Sequence, residues 1–111
     1  MQPVTVNCSR QGKTTLAALD RLLDIARSDT GQARRVANFL LAWWNAGACG
    51  GFDLTDLWLL DAAIRDDVLT VTRLIALQHE YPTAYGLGPH FRELVAAWRP
   101  GLVAPREPDR D

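Results

Sequence analysis

From Thr15 onward, apolar side chains recur at three- and four-residue spacing: Leu16, Leu19, Leu22, Leu23 and Ala26. That period lays one stripe along an α-helix and does not suit a strand. Asp20 and Asp24 fall on the other side, and the run stops at Ser28-Asp29-Thr30-Gly31. The same period then returns along the rest of the chain. A succession of such stripes, joined by short connections, points to an all-α fold.

The stop is also a start, because Asp29 or Thr30 can accept from the free N–H groups of a second helix, with Gln32 three residues after Asp29. That helix carries Ala33, Val36, Phe39, Leu40, Trp43 and Trp44 and is expected to end before Gly47. Asp53 is expected to cap a short helix bearing Leu54, Leu57, Trp58 and Leu60, with Asp56 in its first turn. Asp61 then caps a longer one bearing Ile64, Val68, Val71, Leu74, Ile75 and Leu77. The period leaves open whether these are one bent helix or two. Tyr81-Pro82 closes the segment. Pro89 starts a last helix with Phe91, Leu94, Val95 and Trp98 inward.

The expected architecture is a compact bundle of four to five helices. Residues 1–14 form an irregular N-terminal arm, 15–103 a single helical domain and 104–111 a mobile tail rich in proline and charge. With 111 residues, 48% of them hydrophobic, the chain supports one domain with a genuine core. No apolar run is long enough to cross a membrane, and the N-terminus lacks the apolar region of a secretory signal. Two cysteines, Cys8 and Cys49, make no disulfide framework, so a cytoplasmic location is expected.

Several groups invite a chemical reading. Gly12-Lys13-Thr14 after Val4-Thr5-Val6 mimics a phosphate-binding loop, but Asn7 stands at the first glycine position and no parallel sheet follows. Asp53, Asp56, Asp61, Asp66 and Asp67 could hold a hard cation, yet helix capping and a solvated face explain them more simply. Cys49 lies in a glycine-rich stretch where an exposed thiol could pair with His79 or His90, without any local signature. No cofactor, no metal and no catalytic group is therefore assigned.

The aromatic residues carry more information. Trp43 and Trp44 lie roughly 100° apart around a helix, so one of the pair is expected beside a groove. Tryptophan packs cores more often than surfaces, but it is enriched at binding hot spots. A docking face is expected from Trp43, Trp44, Phe52, Asp53, Asp56 and Trp58, with at least one of the three tryptophans well exposed. The alternative is DNA binding by a helix-turn-helix using Arg21, Arg27, Arg34 and Arg35, in a basic stretch where six cations of residues 1–36 face three aspartates. The second helix is too apolar for an easy fit to that role.

The strings Ser28-Asp29-Thr30-Gly31-Gln32-Ala33-Arg34-Arg35-Val36-Ala37, Leu40-Leu41-Ala42-Trp43-Trp44-Asn45, Gly51 to Trp58, Asp61-Ala62-Ala63-Ile64 and Ala97-Trp98-Arg99-Pro100 resemble a family of small helical bacterial proteins. That family is associated with plasmids and integrative elements and has no assigned activity. The resemblance covers about Ala18 to Val103 and leaves out residues 1–14. It implies an accessory protein of a mobile element that binds a host or element-encoded protein, such as a complex of CRISPR interference. The expected function is thus non-enzymatic protein binding through an aromatic and acidic surface. The alternatives are a small DNA-binding regulator and an enzyme of unknown reaction. Self-association is left open.

Overall fold

The computed structural model describes residues 10–103, with side chains from Thr14 onward. Among them are four α-helices and three 3-10 segments, with no strand. The helices are α1 (Arg10–Ala26), α2 (Gly31–Cys49), α3 (Ala62–Gln78) and α4 (Gly88–Trp98). The 3-10 segments are Leu54–Leu59, Pro82–Tyr85 and Pro100–Leu102. The all-α bundle is as the periodicity predicts. Most of the expected arm (residues 1–9) and the tail (104–111) lie outside the described residues.

α1 begins at Arg10, five residues before its apolar stripe. Backbone bonding propagates a helix without any apolar period, so a polar first turn leaves no trace in such a pattern. Arg10 and Gln11, the last loop positions of the phosphate-loop reading, are thereby turned into helix. Leu19, Leu22, Leu23 and Ala26 are buried against α2 and α3. At the other end of α1, Ser28 Oγ donates to the Ile25 carbonyl and Thr30 takes the cap of α2, its Oγ1 accepting from Ala33 N at 3.0 Å.

α2 is the central element. Ala33, Val36, Ala37, Phe39, Leu40 and Leu41 are all buried, so apolar neighbours surround it on more than one side. It does not stop before Gly47. Asn45 leaves helical space (φ −168°, ψ 85°) and its Oδ1 accepts from Ala48 N at 3.1 Å. An asparagine in extended conformation that accepts from the residue three ahead is an N-cap, and it restarts one more turn to Cys49. That turn carries Cys49 into the core at 6% exposure. The exposed thiol that the glycine-rich stretch would allow is therefore not found; Cys49 is buried.

α3 runs antiparallel to α1, as Arg21 meets Asp67 while Ile25 lies by Ala63 and Ile64. Val68, Val71 and Leu74 point inward, but Leu77, placed inward by its spacing, is 57% exposed. The helix ends at His79 in the left-handed region (φ 55°). α4 runs antiparallel to α2: Phe91 sits by Trp43 and Trp44, and Arg99 by Asn38. Trp98 Nε1 donates to the Ala26 carbonyl at 2.8 Å, tying α4 to the end of α1.

Candidate protein-docking face

Leu54–Leu59 is a 3-10 segment and not the α-helical turn its spacing suggested. The distinction decides which side chains are available. In an α-helix Leu54, Leu57 and Trp58 share a face, whereas at three residues per turn Leu54 and Leu57 eclipse and Trp58 moves about 120° away. Trp58 consequently stands 82% exposed, with Leu54 at 72% and Leu59 at 55%. Trp58 is thus the well-exposed tryptophan of the three expected at the docking face, while Leu60, at the end of the segment, is buried.

Behind this segment lies an open groove of about 370 Å³, lined by Phe39, Trp43, Phe52, Leu54, Leu57, Val68, Leu69 and Ile75 among others. Phe52 is held edge-on to Phe39, ring centroids 5.5 Å apart at 76°. Trp43 donates from Nε1 to the Glu80 carbonyl at 2.9 Å and meets Phe91 edge-on at 5.8 Å. Trp44 faces the other way, stacked on Phe91 at 5.5 Å and 22°. Both are half-buried. Of the six residues expected at the face, Trp43 and Phe52 line the groove, Trp58 stands beyond it on the 3-10 turn, and Trp44 belongs to a separate hollow with Asn45 and Tyr81.

The carboxylates do structural work first. Asp53 accepts from Thr55 Oγ1 at 2.8 Å and from Thr55 N at 3.0 Å. Those bonds hold its pKa below the usual carboxylate value, the side-chain bond most strongly. Asp53 therefore keeps its charge at the rim of the face. Asp56 lies 3.6 Å from Arg35, and both side chains are only 22% exposed, so its charge is largely taken up. Asp61 stands at the start of α3 but makes no cap bond with its side chain.

Gln32 is the supporting residue the periodicity did not reveal. Its Nε2 donates to the Leu59 carbonyl at 2.9 Å and its Oε1 accepts from Asp61 N at 3.0 Å. One amide thus satisfies both backbone groups between the 3-10 segment and α3, and sets where Trp58 projects. The signal from sequence pointed elsewhere, since Gln32 suited a capping box on its own helix. Arg99 plays the same part on the far side, donating to the Cys49 and Trp98 carbonyls and to Asn38 Oδ1 at 2.9, 3.0 and 2.7 Å.

The four arginines of the DNA-binding alternative do not line one surface. Arg21 makes two 2.9 Å contacts with Asp67. Arg27 contacts Asp24 at 3.1 Å, Glu93 at 3.7 Å and Nδ1 of His90 at 2.7 Å. Arg35 is taken by Asp56. Arg34 alone among them is exposed with no ion pair among the described residues. Among the described residues no group of three His, Cys, Asp or Glu side chains could hold a metal ion, and no helix is long and apolar enough to cross a membrane.

Comparison of the chain with curated proteins and with solved structures finds no match. A protein-family model does match, over residues 16–99, a span that runs from the first leucine of the α1 stripe to the Arg99 clamp. The chain belongs to that family, described as a family of unknown function, DUF7673.

Proposed function

We propose that this chain is a non-enzymatic protein-binding module whose docking face is the apolar groove together with Trp58. The observation that carries the reading is Trp58 itself, 82% exposed beyond an apolar groove and flanked by two exposed leucines. Leaving such a ring in water forgoes the stabilisation its burial would bring, of about 1.5–3 kcal/mol for a large apolar side chain. Clustered apolar exposure of this kind marks interaction surfaces. Charged Asp53 at the rim, with Asp61 exposed just beyond the 3-10 segment, favours a partner that brings basic groups around an apolar anchor. The setting proposed for this module, an accessory protein of a bacterial plasmid or integrative element acting in the cytoplasm, rests on the resemblance of its sequence strings. The partner class that follows is a nucleic-acid-binding complex, such as one of CRISPR interference.

Duplex binding finds less support, since three of its four arginines already have carboxylate partners and α2 is buried at the centre of the bundle. Tagged capture from a bacterial lysate, before and after nuclease, separates the two. The docking reading expects a complex that survives nuclease and is lost with Trp58→Ala, while the melting temperature of that variant stays within a degree or two, as befits an exposed site. A complex indifferent to Trp58→Ala, or one that vanishes with nuclease, overturns it.

A further inference from the structure

We infer that the outward face of α3 is a self-complementary surface through which two copies of this chain associate antiparallel. Opposite its buried residues, α3 presents Ala62, Asp66, Leu69, Arg73 and Leu77, all exposed, at spacings of four, three, four and four. From Ala62 to Arg73 that is the seam spacing of paired helices, and Leu77 extends the same face by one turn. Leu69 and Leu77 are 50% and 57% exposed, on a helix whose core side is already filled by Val68, Val71 and Leu74. Nothing within the described residues covers them.

The charges select the arrangement. Among the described residues the Asp66 carboxylate pairs only with its sequence neighbour Arg65, at 3.3 Å and 68% exposed, and Arg73 has no ion pair. Reversing the stripe about the point between Leu69 and Thr70 exchanges position 66 with 73 and 62 with 77. A second copy laid antiparallel on that axis therefore sets Asp66 against Arg73 twice and Ala62 against Leu77 twice, with the two Leu69 side chains flanking the axis one residue apart. A parallel pair would set Asp66 against Asp66 and Arg73 against Arg73. A two-fold contact requires one patch to complement itself, and this one does so in one direction only. A single 17-residue helix face is a small interface, at the weak end of those that hold in solution. The expected dimer is therefore concentration-dependent, with a dissociation constant in the micromolar range.

The stripe excludes Trp58, and the groove opens on its flank, sharing only Leu69. The inference thus goes beyond the docking face and is tested without any other protein. Sedimentation velocity of the full chain across micromolar concentrations should show a monomer–dimer equilibrium. Asp66→Arg and Arg73→Asp should each weaken it by about tenfold, as two exposed pairs turn from attraction to repulsion. Mixing the two variants in equal amounts should restore association, because each then offers the charge the other lacks. The double variant D66R/R73D should also dimerise. A monomer at every concentration overturns the inference, as does a dimer indifferent to both reversals or one that the mixture fails to restore. Unchanged circular dichroism of the variants separates lost association from lost folding.

Discussion

Tyr85 carries the one buried side-chain polar atom among the described residues with no hydrogen-bond partner, its hydroxyl oxygen. A phenol is ordinarily buried only with a partner for its O–H, because a lost bond to water costs about 1–3 kcal/mol. Burial raises its pKa above the usual phenol value, and the negative charge of Glu80 adds to the rise. With a raised folded pKa, the favourable contribution is complete below the unfolded phenol pKa and is lost as pH climbs through the folded one. Tyr85→Phe keeps the ring, 6.3 Å from Trp43, and removes the orphaned oxygen. The variant should melt at the same temperature or higher near neutral pH, and should lose less stability than wild type under alkaline conditions. Thermal melts at neutral and alkaline pH check this; a loss above about 1 kcal/mol at neutral pH would mean that the hydroxyl has a partner.

The connections, more than the helices, decide what this chain exposes. Thr30 gives α2 its cap, and Thr30→Ala should cost about 0.5–2 kcal/mol in a denaturant titration. No measurable change would mean that Asp29 takes over the role. The caps at Thr30 and Asp53 were legible because a short oxygen-bearing side chain before an apolar period has few other uses. The inward stripes of α1 and α4 were legible for the same reason, since burial imposes the period. Two features escaped. A six-residue segment is too short for its period to separate α from 3-10 geometry, so the period places Leu54, Leu57 and Trp58 on one helical face that the structure does not form. The restarted turn after Asn45 depends on one side-chain bond that no periodicity records. Both errors fall at the ends of α2 and in the docking face beside it, where local bonding overrides the apolar pattern.

Four helices enclose one core, and α2 supplies its largest buried share. Leu40 is fully buried, so Leu40→Ala should cost about 2–5 kcal/mol, read as a shift in the urea midpoint. A cost below about 1 kcal/mol would mean that the faces of α2 are turned otherwise. The molecule is knit across long stretches of chain: Trp98 reaches back 72 residues to Ala26, and Arg99 reaches back 61 to Asn38 and 50 to Cys49. Those ties have a consequence for how the protein comes into being on the ribosome. Ala26 is polymerised on the order of ten seconds before Trp98, at the usual rates of synthesis. From the synthesis of Trp44 until that of Phe91 the helices already made exist without their α4 partner, and the aromatic seat formed by Trp43 and Trp44 stands open. The nascent chain must therefore wait half-closed for α4, with its tryptophans within reach of any chaperone that binds emerging apolar segments.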